Sequence, residues 1–269
     1  MSVRITVTSQ KGGVGKTTVC LNLAVAFAER GWRTLIVDLD PQGAIALALR
    51  KGSREWAGVT EALVGVVDVS EAVVKTSEPR LSILSRGRLD PVDVPMFETL
   101  VGESDTLESL LSEAEQGFDV VLIDTPAGVG LIPRAALTVS GYALVPFEAG
   151  PLTMRSVGQT LRVVEHVRQH ENESLRLLGI LATMVRLTED PSHTAIMELW
   201  SGFEGVLDTM IPHSDLFTQA HHIGTPIDYL PGATTPEARR FGHLAAELED
   251  RIPELTRTEQ NERPQRTLV

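Results

Sequence analysis

Residues 9–18 read Ser-Gln-Lys-Gly-Gly-Val-Gly-Lys-Thr-Thr and lie between a β-branched run, Val3–Thr8, and a segment with Cys20, Leu23, Ala24 and Phe27 at helical spacing that ends at Gly31. A strand that enters a glycine-rich turn and leaves it as a helix places that turn at a strand end and at a helix N-terminus. Gly12, Gly13 and Gly15 allow the backbone N–H groups of the loop to approach phosphate oxygens closely, and the helix adds the positive end of its dipole. Lys16 is placed to reach the β- and γ-phosphates of a nucleotide, and the Thr17 hydroxyl to ligate Mg²⁺. A purely structural turn needs only one or two glycines. The common spacing G-x-x-x-x-G-K-[ST] is not met, because its first glycine falls at Gln10. The loop follows instead the rarer K-G-G-x-G-K-[ST] pattern, with a second lysine, Lys11, five positions before Lys16. The loop's candidate nucleotide-binding residues are Gly12, Gly13, Val14, Gly15, Lys16, Thr17 and Thr18.

On these residues the chain resembles the deviant-Walker ATPases, and within them the ParA partition proteins. Three further stretches agree. Asp38-Leu39-Asp40-Pro41-Gln42-Gly43 follows a second strand at Thr34–Asp38 and resembles the D-x-D-P-Q-G switch of that family. Val120–Asp124 is an apolar strand ending in an acid, followed by Thr125-Pro126-Ala127-Gly128-Val129-Gly130, and resembles a Walker B segment with its second switch. Gly224-Thr225-Pro226-Ile227 resembles the G-x-P-I/V stretch of the same proteins. MinD relatives usually carry glycine where Gln10 stands and lack D-P-Q-G, which puts this chain closer to ParA than to MinD. The resemblance implies ATP and Mg²⁺ as cofactors, and a homodimer that encloses ATP, with Lys11 reaching the nucleotide of the partner and so joining the nucleotide-binding residues. It implies that Asp40 positions or activates the water, that Lys16 and Lys11 supply cationic stabilisation, and that Asp124 holds Mg²⁺. Asp38 either supports the metal from outside its ligand sphere or simply terminates its strand.

The rest of the sequence is read for architecture. Apolar strands near Leu81–Leu84, Val120–Asp124, Ala143–Pro146 and Gly179–Met184 alternate with helices near Arg155–Gln169, Thr194–Leu199 and Pro236–Glu249. This pattern predicts an α/β fold: a mostly parallel twisted sheet with helices on both faces and a ligand site at the strand C-terminal ends. Asp90–Gly117, with two prolines and several acids, is read as a helical surface insertion. Residues 1–255 are expected to form a single ATPase domain, and the polar residues 256–269 a disordered tail. With 269 residues and 42% hydrophobic composition the chain can bury a full core. Its one cysteine, Cys20, excludes a disulfide framework and reads as a core thiol. The N-terminus enters a strand at once, leaving no room for a signal peptide, and no apolar run is long enough to span a membrane, so a cytoplasmic location without membrane attachment is expected.

Other residue inventories narrow the function. His166 and His170, spaced i, i+4, and the adjacent His221 and His222 lack an accompanying C-x-x-C or H-E-x-x-H and read as helix-surface histidines. Met154, Met184, Met197 and Met210 read as core filling. One cysteine and two tyrosines exclude an Fe–S carrier and a tyrosine-cluster kinase. A metabolic ATP-dependent ligase of the same P-loop class is the rival, against which the D-P-Q-G switch argues. The expectation is therefore an ATPase switch that positions a plasmid, chromosome region or protein assembly, its hydrolysis stimulated by an adaptor. The balance of 36 acids against 24 Lys plus Arg, a net charge of −12, favours an adaptor with a basic segment. Nonspecific DNA, and with it nucleoid association, is a second expected partner, with Arg239, Arg240 and Arg186 as candidate contacts; His213 and Leu216 stand where relatives carry DNA-contacting arginines. A protein platform or polar landmark without DNA is the alternative.

Overall fold

The computed structural model describes residues 2–49, 56–150, 153–186, 190–232 and 235–255, with only the backbone of residues 190–193. The expected tail, 256–269, lies outside the described residues. Seven strands form one sheet in the order β3-β4-β2-β5-β1-β6-β7. They are β1 (Val3–Val7), β2 (Thr34–Asp38), β3 (Val73–Lys75), β4 (Leu81–Leu84), β5 (Val120–Asp124), β6 (Tyr142–Glu148) and β7 (Arg176–Thr183). All pairings are parallel except the edge strand β3, which runs antiparallel to β4. The helices are α1 (Lys16–Glu29), α2 (Ala44–Ala48), α3 (Val59–Leu63), α4 (Val69–Ala72), α5 (Val94–Gly102), α6 (Ser104–Ala114), α7 (Leu131–Thr138), α8 (Thr153–His170), α9 (Asp190–Gly202), α10 (Asp215–Ile223) and α11 (Pro236–Arg251).

The central strands are apolar on both sides, as a sheet covered on both faces requires. Their period of two still sorts the side chains. Ile5, Val7, Ile36 and Leu122 pack with Leu23 and Phe27 of α1 and with Phe241 and Leu244 of α11. Leu35, Val37, Val121 and Ile123 point the other way, onto Phe97, Val101, Leu107 and Leu111 of α5 and α6 and Ile132 of α7. The stretch read as a surface insertion is therefore a structural layer. Asp90–Gly117 carries the crossover from β4 to β5; it is helical as expected, its buried stripe closes one face of the sheet, and the acids that suggested a surface insertion lie on its outer side.

Two other expectations change. β7 ends at Thr183, and Met184 lies beyond it with a left-handed φ of 52°. Met197 is 51% exposed rather than core filling. His166 and His170 do lie exposed on α8, their rings stacked with centroids 4.4 Å apart. No helix among the described residues is long and apolar enough to cross a membrane.

Because β5, β1 and β2 are adjacent or nearly so in the sheet, the segments leaving their C-terminal ends meet at one place. Asp38 and Asp124 stand in register on neighbouring strands, and Val7, the last residue before the glycine loop, stands opposite Asp124 on the other side.

Candidate nucleotide and metal site

The glycine loop turns into α1 through Gly15, whose φ of 86° is a conformation that a side chain would strain. The carbonyl of Val14 is fixed by the Thr183 hydroxyl at 2.8 Å. Lys16, the first residue of α1, is folded back into its own loop, 7% exposed, with Nζ 3.4 Å from Ser9 Oγ. Burial pulls its pKa down, against the opposing pull of Asp124 and Asp40. A desolvated cation at a helix N-terminus is a strong attractor for an anion.

Thr17 Oγ1 donates to Asp124 Oδ2 at 2.7 Å. The other carboxylate oxygen, Asp124 Oδ1, is buried and has no hydrogen-bond partner among the described residues. An orphaned carboxylate oxygen next to a Thr hydroxyl at a phosphate loop fits a magnesium ion and its bound water. Burial pushes the Asp124 pKa up to about 7, with the Thr17 hydroxyl and the Lys16 charge opposing. Cys20 lies fully buried beneath the site, and its thiol is pushed well above its ordinary range by burial, consistent with an inert core thiol.

The second segment, 38–45, is a closed turn. Asp38 is fully buried, which raises its pKa together with the neighbouring Asp124 charge. Its Oδ1 accepts from the backbone N–H of Asp40 at 3.1 Å and its Oδ2 from that of Ile45 at 3.2 Å. Asp38 thus does more than end its strand: both oxygens are engaged in holding the turn, in contrast to Asp124 with its one unpartnered oxygen. Asp40 Oδ1 in turn accepts from Gln42 N–H at 2.9 Å, and the Gly43 N–H donates to the Asp40 carbonyl at 2.8 Å.

The third segment is tied to the first. Thr125 Oγ1 donates to the Val7 carbonyl at 2.9 Å, and Gly128 N–H donates to the Ser9 carbonyl at 3.1 Å. Lys11 differs from Lys16 in setting. It is half-exposed on the outer rim, and its Nζ pairs with Glu148 at the end of β6.

Beside Gly15 and Thr18 lies a cavity of about 140 Å³, lined also by Met184, Pro212, Ser214 and Phe217. The G-x-P-I/V stretch lies away from this cavity and is tied to the middle of α1, where Asn22 accepts from Ile227 N–H at 2.8 Å. Of the candidate DNA contacts, Arg186 directly follows Val185, and Arg239 and Arg240 lie in the first turns of α11; all three are exposed. The sequence reading missed Ser9, Glu148 and Arg86, whose guanidinium reaches the Pro41 carbonyl. Glu148 and Arg86 are brought in by sheet order, which no local pattern encodes, whereas Ser9 lies in the loop itself, seven residues before Lys16.

A phosphate-binding loop, a Thr–Asp pair with a carboxylate oxygen unpartnered among the described residues and a closed acidic turn, all at the C-terminal ends of a mostly parallel sheet, define a P-loop nucleoside triphosphatase. A family model described as an AAA domain matches residues 2–177. The chromosome-partitioning ATPase Soj of Thermus thermophilus is 35% identical over 262 residues, which cover 93% of this chain and 97% of the relative. The sporulation initiation inhibitor protein Soj of Bacillus subtilis is 32% identical over 227 residues, covering 83% and 89%. The cobyrinic acid a,c-diamide synthase of Mycobacterium smegmatis, solved with ADP and magnesium, superposes with a TM-score of 0.75 at 30% identity, over 91% of this chain and 93% of that one. MinD of Pyrococcus horikoshii with Mg-ADP shares the fold, with a TM-score of 0.76 at 24% identity over 93% and 96%. The chain belongs to the ParA family of deviant-Walker P-loop ATPases. It is an ATPase that uses ATP and Mg²⁺.

Proposed function

We propose that this ATPase is a switch that dimerises on ATP and positions a cellular cargo, residues 1–255 acting as one ATPase domain. The observation that carries this reading is the contrast between the two lysines of one loop. Lys16 is buried in its own loop, whereas Lys11 is 49% exposed at the rim, where a second subunit can approach. In this reading Lys16 and the N–H groups of Gly12, Gly13, Val14 and Gly15 hold the phosphates, with Thr18 beside them, and the cavity at Gly15 takes the base. Thr17 and Asp124 hold Mg²⁺, which when bound neutralises phosphate charge. Asp38 fixes the turn that carries Asp40, and Asp40 orients the attacking water. Lys11 leaves Glu148 and crosses to the nucleotide of the partner.

Hydrolysis is stimulated by an adaptor with a basic segment, attracted by the net charge of −12. Nonspecific DNA is the platform, contacted through Arg186, Arg239 and Arg240; the chromosome-partitioning function of the Thermus relative supports this choice. A mobility shift of Asp40→Ala with Mg-ATP at low salt, lost on Arg239→Glu/Arg240→Glu, is the expected result. No shift in the parent points to a protein platform.

The dimer reading is tested by light scattering with Mg-ATP. Asp40→Ala should bind ATP and accumulate as dimer, whereas Lys11→Ala should stay monomeric. The reverse pattern overturns both roles. A second reading, an ATP-dependent metabolic ligase, is favoured by the likeness to the diamide synthase. ATP turnover accelerated by DNA or by a basic peptide, without a small-molecule acceptor, counts against it.

A further inference from the structure

The turn at 40–43 is held from below by Asp38 and from the side by a residue outside any recognised motif. Arg86, two residues past β4, sends its Nη1 to the Pro41 carbonyl at 2.5 Å and its Nε to the Gly87 carbonyl at 3.1 Å. The same guanidinium lies flat against Gly43. A side chain built at Gly43 would begin 3.0 Å from Arg86 Nε and 3.1 Å from its Cζ, and Gly43 already has a left-handed φ of 62°. The glycine of the D-P-Q-G turn therefore serves both the backbone conformation and the seat of the arginine.

Arg86 is itself rigidly mounted. Its carbonyl accepts from Thr60 N–H at 2.9 Å and from Thr60 Oγ1 at 2.7 Å. Val59 N–H bonds the Ser85 carbonyl at 2.8 Å, so the first turn of α3 is fastened to the end of β4. Glu61 closes the unit, accepting from Gly58 N–H at 2.9 Å and from Arg88 N–H at 3.0 Å. Among the described residues no carboxylate pairs with Arg86, and its partners are carbonyls. An arginine spent on a backbone carbonyl of a catalytic turn, from a base with this many bonds, fixes the position of that turn.

We propose that Arg86 is a positioning residue for hydrolysis, a clip that sets the turn carrying Asp40; this rests on the reading of Asp40 as the residue that orients water. Its effect is on turnover and not on nucleotide affinity, because among the described residues the guanidinium's hydrogen bonds go to the Pro41 and Gly87 carbonyls and none to the phosphate loop. Displacing a water-orienting group by about 1 Å can cost on the order of 100-fold in rate.

The test compares Arg86→Met, which keeps the packing against Gly43 but has no donor, with Arg86→Lys, which can still donate to the Pro41 carbonyl. Expected for Arg86→Met is a loss of kcat of about 10-fold or more, with KM for ATP and the Kd of a fluorescent ATP analogue within about 2-fold. Arg86→Lys should recover most of the rate. Amide exchange in Arg86→Met should quicken at Gln42, Gly43 and Ile45 and stay unchanged over residues 11–18. Wild-type kcat in Arg86→Met, or a loss confined to nucleotide affinity, overturns the proposal. Failure of Arg86→Lys to recover more rate than Arg86→Met also overturns it. Asp40→Ala is run alongside: if it alone is inactive and Arg86→Met is not, only the clip fails, whereas an active Asp40→Ala removes both readings.

Discussion

Lys16 is a buried cation at the mouth of the loop, and its setting separates binding from folding. It is buried with a lowered pKa, so burial costs it hydration that only an anion restores. Lys16→Ala should therefore abolish ATP binding while leaving the melting temperature of the nucleotide-free protein unchanged or slightly higher. A fluorescent-analogue titration and a thermal melt check both halves. Asn22 gives the opposite behaviour. Its side chain is buried and joins the Thr18 carbonyl to the Ile227 N–H, so Asn22→Ala strands a buried donor. The expected cost is about 1–3 kcal/mol, and it should appear in urea unfolding with little change in the slope. At this scale the site was largely legible. The spacing of Lys11, Lys16 and Thr17 is local, and a glycine loop between a strand and a helix has one main chemical use. Arg86 and Glu148 were not legible, because their partners lie 45 and 137 residues away in the sequence.

The last long helix, α11, is the element that fastens the P-loop helix in place. Phe241, Leu244 and Leu248 bury against α1 and the sheet, and Arg30 and Trp32, just past α1, both donate to Glu249 of α11 at 2.7 Å or less. Leu244→Ala removes fully buried methyl groups from this seam and should cost about 2–5 kcal/mol, lowering the melting temperature by roughly 5–15 °C. Differential scanning calorimetry measures it. The long elements could be read because several periods fit within them. The edge strand β3 and the helices α2, α3 and α4 have three to five residues each, too few for a period to show. For α5 and α6 the error had another cause. The segment was read as helical, as it is, but Glu98, Glu103, Asp105 and Glu108 on the outer side gave it the composition of a surface insertion, while Phe97, Val101, Leu107 and Leu111 carried the buried stripe. Composition averaged over the segment hid a pattern that alternation by face made plain.

For the whole molecule, the α/β class followed from alternating strands and helices, but the strand order did not, since each parallel crossover can land on either side. That order is what brings Glu148, at the end of β6, beside the loop that leaves β1. The pair it makes with Lys11 has a consequence for how much protein is needed to form a dimer. Exposed ion pairs contribute about 0.2–1 kcal/mol, and here the side chains are 49% and 34% exposed. In the dimer proposed above, where Lys11 leaves Glu148, two such pairs break, one in each subunit, so the toll enters the association constant twice and amounts to a factor of about 2 to 30. Glu148→Gln should thus shift the midpoint of ATP-dependent dimerisation to lower protein concentration by about that factor, as measured by sedimentation at low salt, and rising salt should narrow the gap to the parent. An ion pair of small energy, counted once per subunit, thus raises the amount of chain needed for assembly, so that in the proposed switch the cell's copy number of this chain, and not its affinity for ATP alone, sets when dimers form.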